Sequence, residues 1–139
     1  MITPDEMASL HARAFEGQGR AWSAREFTDL MSSSRVFTVG DARAFALGRV
    51  IADEVELLTL ATDPDLRRQG LGRACLRAYE TAAGAQGANM SFLEVARDNA
   101  AARALYLAEG YAEVACRACY YRRPDGGQVD ALILQKTPL

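Results

Sequence analysis

Histidine occurs once in these 139 residues, at His11, and cysteine only three times. These scarcities exclude several chemistries. Cys116-x-x-Cys119 invites a zinc or redox site, but no second ligand pair accompanies it and His11 lies far away in sequence. Both cysteines fall in a strand-like run, where residues three apart point to opposite faces, so unpaired, packed thiols are expected and no metal. Cys75 falls on the inward face of a helix, with no histidine to activate it as a nucleophile. An odd number of cysteines fits a reducing compartment. No apolar run approaches the ~20 residues that span a bilayer. The start, MITPDEM, lacks the basic and apolar regions of a signal peptide, so the cytoplasm is the expected location. Sixteen Lys+Arg against eighteen Asp+Glu leave a net charge of −2, which provides no basic footprint for nucleic acid. Linkers, repeats and low-complexity tracts are absent. One domain over residues 1–139 is expected, long enough for one well-filled core.

Local signals order the chain. Thr3-Pro4-Asp5-Glu6 combines an N-cap, a proline at the first helical position and a glutamate closing a capping box; Met7, Leu10, His11 and Ala14 then share a face. Ser23-x-x-Glu26 is a second capping box, with Trp22 and Phe27 as its hydrophobic staple. Strands are expected over 35–39, 42–52 and 55–62, with turns at Gly40-Asp41 and Asp53-Glu54. Helical spacing of Leu71, Ala74, Cys75, Ala78, Tyr79 and Ala82 predicts a helix over 70–84. A strand over 89–95, a helix over 99–109 ended by Gly110, and strands over 111–121 and 128–135 around Pro124-Asp125-Gly126-Gly127 complete the order α-α-β-β-β-α-β-α-β-β. The strand–helix–strand unit over 55–95 should be a parallel crossover. The fold class is therefore α/β (α+β): a mixed, mostly antiparallel sheet with one central parallel crossover and helices on both faces.

The segment from Leu57 to Arg73, LLTLATDPDLRRQGLGR, runs from an apolar strand through a turn into a basic, glycine-rich helix start. Free N–H groups there carry partial positive charge, and Arg67, Arg68 and Arg73 add to it, an arrangement suited to an anion such as phosphate. Neither a Walker loop nor a dinucleotide fingerprint fits, because no Gly-Lys-Ser/Thr and no third glycine follow. An ordinary basic helix start would carry the same residues. The pattern Arg67-Arg68-Gln69-Gly70-Leu71-Gly72 resembles the Q/R-x-x-G-x-G/A loop of the GNAT-type N-acetyltransferases, in which the loop wraps the pyrophosphate of acetyl-coenzyme A.

A second constellation lies in SFLEVARDNAAARALYLAEGY, residues 91–111. Glu94 interrupts an apolar strand, and Asn99, Arg103 and Tyr106 fall on one helix stripe, with Ala101, Ala104, Leu105 and Ala108 expected on the core face. A strand carboxylate beside a tyrosine could form an acid–base pair. Taken singly, Glu94 fits a solvated strand residue, Asn99 a helix cap and Tyr106 a half-buried aromatic. Together, L-E-V-x-x-x-N-x-x-A-x-x-L-Y-x-x-x-G-Y resembles the second half of the GNAT fold. The likeness is greatest to its bacterial ribosomal-protein-alanine N-acetyltransferase branch, and it extends to Arg117-x-x-Tyr120-Tyr121, Asp125-Gly126 and Asp130-Ala131. The resemblance implies Glu94 as general base and Tyr106 as general acid. It implies cofactor contacts from Asn99 and from the backbone of Leu60, Ala61 and Thr62, and Arg103 shares their stripe. The family's first strand is short or missing, because the chain reaches a helix cap at Thr3.

Such an enzyme would transfer an acetyl group from acetyl-coenzyme A to an amine by direct attack, without a metal. A peptide α-amine has a pKa of about 7.7–8.0 against about 10.4 for lysine, so one carboxylate base favours a protein N-terminus such as that of a ribosomal protein. An acceptor groove is expected between Trp22, with the helix after it, and Tyr120-Tyr121. These tyrosines alternate faces, one lining the groove and one packing. A lysine or small-molecule acceptor, and a non-catalytic acyl-CoA-binding module, remain open. No nucleic-acid or membrane partner is expected.

Overall fold

The computed structural model describes residues 1–139. Helices α1 (Pro4–Ala14) and α2 (Ala24–Met31) each start on the expected capping box. Thr3 Oγ1 accepts from the Glu6 amide at 3.2 Å while Glu6 Oε1 accepts from the Thr3 amide at 3.0 Å, and Ser23 and Glu26 repeat the exchange. The Trp22 and Phe27 rings sit 5.6 Å apart as the staple predicts. No strand precedes α1. There follow β1 (Val36–Asp41), β2 (Ala44–Ile51), β3 (Glu54–Thr62), α3 (Leu71–Ala85), β4 (Met90–Ala96), α4 (Ala100–Ala108), β5 (Ala112–Arg122) and β6 (Gln128–Lys136), in the expected order. A short 3-10 turn at Pro64–Leu66 is the one addition.

Two turns fall later or earlier than expected. The first hairpin turns at Ala42-Arg43, not Gly40-Asp41, because Asp41 Oδ1 accepts from the Arg43 amide at 2.9 Å and stays in the ladder opposite Ala44. Gly40 is needed within the strand: its φ is 99° and a Cβ there would collide with the Ala44 carbonyl. The second turn is Ala52-Asp53, with Ala52 at φ 57°.

The six strands form one sheet in the order β1-β2-β3-β4-β6-β5. Every neighbouring pair is antiparallel except β3 and β4. Helices α3 and α4 cover one face, burying Leu76 and Tyr79 against Val55, Leu93 and Leu134. Helices α1 and α2 cover the other with Met7, Leu10 and Phe27 against Phe45 and Leu47. A buried polar knot stiffens the first layer: the Tyr79 and Tyr111 hydroxyls meet Ser91 Oγ at 2.8 and 2.9 Å, so no hydroxyl there is left unpaired.

The helix faces differ from the alanine pattern. In α3 the buried residues are Cys75, Leu76, Tyr79 and Ala83, while Ala74 and Ala78 are exposed. In α4, Ala102, Leu105 and Tyr106 turn inward and Ala101, Ala104 and Ala108 face outward. Alanine is at home on either face, so the larger side chains decide the orientation.

Two irregularities shape the sheet. In β3, Leu47 pairs with Thr59 and Gly48 with Leu57, leaving Leu58 as an extra residue. The bulge reverses the faces: Val55 and Leu57 pack under α3, whereas after it Ala61 packs toward α1 and α2. In β5 four steps from Arg117 to Tyr121 oppose only two in β6, from Ala131 to Val129. Between β3 and β4 the parallel register covers only Glu54–Glu56 against Met90–Phe92, and beyond it the strands part.

Phe27 holds α1 and α2 to the sheet. It is fully buried, with its ring 5.7 Å from both His11 and Phe45. Phe27→Ala should lower the unfolding free energy by about 3–5 kcal/mol, measured by urea denaturation.

Candidate active site

Where β3 and β4 part, a cavity of about 370 Å³ opens between them. Its walls include Leu57–Leu60 from β3 and Leu93–Ala96 from β4. The outer edge of β3 is tied to β2 and that of β4 to β6. Each strand therefore turns an unpaired inner edge of backbone N–H and C=O groups toward the gap, a place where an extended ligand can pair as a strand would.

Two reactive side chains enter this cavity. Glu94 alternates with Leu93 and Val95, which lie in the core beneath α3 and α4, so its carboxylate emerges on the face of α1 and α2. It is 26% exposed and meets Arg117, Nη2 to Oε1, at 3.4 Å. Tyr106 comes from α4, on the opposite face. Its ring packs edge-on against Tyr111 with centroids 5.8 Å apart, and the residue lines the cavity. Burial raises the Tyr106 phenol well above the ordinary tyrosine value, with a smaller contribution from Cys75. The phenol is thus protonated throughout the neutral range and available as a donor. Asn99 lines the same cavity while capping α4, its Oδ1 accepting from the Ala102 amide at 3.3 Å.

The glycine-rich segment lies beyond the end of β3 and outside this cavity. Asp63 anchors the turn into it, accepting from the Asp65 amide at 2.9 Å and from Arg13 of α1 at 2.7 Å. Arg68 and Gly70 have φ of 64° and 75°. No side chain caps α3, so the amides of its first turn are open to an anion. A Cβ on Gly70 would meet nothing within 4 Å, whereas one on Gly72 would sit 3.4 Å from Thr62 Oγ1 and 3.5 Å from Leu105. Gly70 thus faces open space and Gly72 permits α3 to pack closely. Arg67, Arg68 and Gln69 are exposed, and neither arginine has a carboxylate partner. Arg73 does: its Nε lies 3.4 Å from Glu109, which also pairs with Arg77 at 2.7 Å. Leu71 packs against the core, and Ala61 is buried with α1 and α2. Arg103 points away from the cavity, donating to the Arg97 carbonyl at 3.1 Å.

The far wall corrects two expectations. Tyr120 and Tyr121 both line the cavity, edge to face at 5.1 Å, because the β5 bulge breaks strand alternation. Cys116 and Cys119 are exposed, not packed, because β5 is the edge strand and is exposed on both faces from Ala112 to Tyr120. Both reach Asp130, Cys116 Sγ lying 3.8 Å from Oδ2 and the Cys119 amide donating to Oδ1 at 2.9 Å. Cys75 is buried as expected, its thiol pushed up to about 12 by burial. Trp22 lines the opposite wall. Sequence reasoning missed the rest of that wall, Phe15, Gln18 and Arg20 between α1 and α2, and also Arg122 and Arg123. The only local sign was Gly17 and Gly19, whose φ of 80° and 126° mark an irregular loop.

The cleft is thus open to groups approaching from opposite faces of the sheet. The chain belongs to the acetyltransferase (GNAT) family, whose profile matches residues 5–111, and it has that family's fold. It is 43% identical over 95 residues to the ribosomal protein bS18-alanine N-acetyltransferase of Escherichia coli K12, covering 68% of this chain. The chain spans only 64% of that relative's length. The crystal structure of the E. coli ribosomal-protein-S18-alanine N-acetyltransferase superposes with a TM-score of 0.86 at 34% identity, covering 97% of this chain and 87% of that one. Arabidopsis thaliana NAA60, solved with acetyl-CoA, shares the fold with a TM-score of 0.78 at 15% identity, over 98% of this chain and 95% of that one. No helix is long and apolar enough to cross a membrane.

His11 forms part of the cavity wall, 5% exposed among Phe15, Trp22 and Phe27, and accepts from the Trp22 amide at 3.4 Å. Burial lowers its pKa to about 4, so it is neutral at pH 7 and serves packing. The unfolded chain binds its proton near pH 6.5, the folded one only near 4. The folded state is therefore favoured fully above pH 6.5 and loses this advantage as pH falls toward 4. His11 should remove about 2 kcal/mol of stability between pH 7.5 and pH 5. Urea unfolding at both values checks this, and His11→Phe should flatten that part of the slope.

Proposed function

We propose that this protein transfers an acetyl group from acetyl-coenzyme A to the N-terminal amine of a protein, a ribosomal protein being the first acceptor to test, and that it acts in the cytoplasm. The observation that carries the proposal is the meeting of Glu94 and Tyr106 in one cavity from opposite faces. It gains weight from the 43% identity to an enzyme named for this reaction.

The residues present fit the donor. Arg67, Arg68, Gln69 and Gly70, with the open amides of Leu71, Gly72 and Arg73, suit a pyrophosphate. The free inner edge of β3 at Leu60, running to Ala61 and Thr62, suits an amide-bearing arm, and Asn99 borders the same gap. Arg73 acts here through its backbone, because its guanidinium serves Glu109. Arg103 supports the Arg97 carbonyl and is left out of the binding set.

Glu94 accepts the proton of the incoming ammonium, directly or through water, so that the amine attacks neutral. Tyr106 delivers its proton to the departing thiolate. A backbone N–H of β3 at the bulge polarises the thioester carbonyl. Trp22, Tyr120 and Tyr121 flank the acceptor's approach on the Glu94 face. An α-amine is easier to deprotonate than lysine by about 2.5 pKa units, roughly 3.4 kcal/mol, which favours a chain terminus for a single carboxylate base.

Three measurements test this. Tyr106→Phe should lower turnover by ~10²–10⁴-fold with acetyl-CoA affinity nearly unchanged; full turnover would make Tyr106 a packing residue. Gly70→Asp should abolish coenzyme A binding in calorimetry, with Arg68→Ala weakening it less. Aspartate tolerates positive φ, so the fold should survive and the added charge should act on the phosphates. Finally, peptides starting with alanine should outcompete N-terminally blocked peptides carrying a free lysine. Preferential labelling of the blocked set would overturn the N-terminal assignment and leave acetyl transfer standing.

A further inference from the structure

Arg123 lies at the root of the β5–β6 hairpin with both its backbone groups engaged. Its amide donates to the Gly127 carbonyl at 2.8 Å and its carbonyl accepts from the Gly126 amide at 2.9 Å. Pro124 follows, so the side chain projects from a fixed base. That side chain is 10% exposed, the least of the ion-paired arginines. Nε and Nη2 grip Asp98 at 3.0 and 2.5 Å, Nη1 donates to the Gln18 carbonyl at 2.8 Å, and the guanidinium lies 5.7 Å from the centre of the Tyr121 ring.

These contacts join three segments distant in sequence. Gln18 belongs to the loop between α1 and α2. Asp98 precedes Asn99, the cap of the helix that carries Tyr106. Arg123 directly follows the strand that carries Tyr120 and Tyr121. Each segment contributes to the cavity wall, and Arg123 itself borders the opening. The loop's other hydrogen bonds, from the Gln18 amide to the Phe15 carbonyl, from Arg20 to Glu26 and from the Trp22 amide to His11, stay within α1, α2 and the loop itself. Arg123 is therefore what ties it to the β5–β6 side of the cavity. A planar fork with five donors can grip a carboxylate with two parallel bonds while a third donor reaches a carbonyl, a fixed geometry that a single ammonium does not provide.

We infer that Arg123 is a positioning residue that sets the width of the acceptor end of the cavity by clasping the α1–α2 loop, the β4–α4 turn and the β5–β6 hairpin. It touches no reacting group. The inference rests on the acetyl-transfer proposal for what the cavity receives, but the clasp itself is a property of the free protein. Losing hydrogen bonds to a charged group changes an equilibrium by roughly ten- to a hundredfold.

Two readouts test it with R123Q, R123K and D98N. In the free protein, hydrogen exchange at the Gln18 amide, which donates to the Phe15 carbonyl at 2.9 Å, should accelerate by roughly tenfold or more in R123Q and D98N. In steady-state acetylation of a peptide with a free N-terminus, acceptor KM should rise by a similar factor while kcat and acetyl-CoA affinity stay close to wild type. R123K should recover little, and the R123Q/D98N double variant should be no worse than R123Q, since both break one clasp. A packing role alone would lower the unfolding midpoint and leave KM unchanged. Unchanged exchange in folded R123Q, or unchanged acceptor KM in an active enzyme, overturns the inference. Should R123Q fail to fold, D98N decides by the same two measures. If wild type acetylates no peptide, the reaction proposal fails and exchange alone decides the clasp.

Discussion

The parting of β3 and β4 is the constraint on which the rest of the structure depends. β3 is registered to β2 over eight residue pairs and β4 to β6 over six, yet the two share only three. Held on their outer edges, the strands cannot close together, and the backbone groups on their inner edges have no partner in the chain. Such groups must find water or a ligand. The gap therefore holds open backbone donors and acceptors, and it passes through the sheet. Helices α3 and α4 approach it on one side and the α1–α2 pair on the other, so a donor and an acceptor can reach one point without competing for space.

A regular frame and irregular walls divide the work. The frame is the tightly packed layer around Tyr79, Ser91 and Tyr111, where buried hydroxyls satisfy one another, and the aromatic packing of Phe27, His11 and Phe45 on the opposite face. The walls are built from departures. The Leu58 bulge turns the end of β3, and the β5 bulge carries Tyr120 and Tyr121 to the same side. These departures persist because specific polar contacts hold them. Asp130 accepts from the Cys119 amide inside the β5 bulge, and Arg123 ties the hairpin root to Asp98 and Gln18.

Arginine does most of the cross-linking. Arg13 joins α1 to the turn after β3, Arg73 and Arg77 join α3 to Glu109 after α4, and Arg117 joins β5 to Glu94. Surface ion pairs of this kind contribute little stability singly. Their value here is geometric, since each links elements that border the cavity or the glycine-rich turn. Arg67 and Arg68 take no part in this cross-linking and stand exposed beside the uncapped start of α3.

Most of what depends on neighbours in the chain was legible in the sequence, the Ala42-Arg43 turn set by Asp41 being an exception. The capping boxes at Thr3 and Ser23, the staple of Trp22 on Phe27, the order of elements and the basic turn before α3 all follow from side chains within a few residues of one another. Glu94 and Tyr106 were legible as a pair through their motif, though not their approach from opposite faces. Only the tertiary structure decided the inward face of α4, the use of Arg73 on Glu109 and the exposure of Cys116 and Cys119. Alanines carry too little preference to orient a helix. An extra residue in a strand leaves no mark in composition, yet it inverts every side chain beyond it. An arginine's partner, as with Arg123 and a carbonyl 105 residues away, is chosen by packing. Local sequence determined which elements form and which chemistry they carry; distant contacts decided which side chains meet.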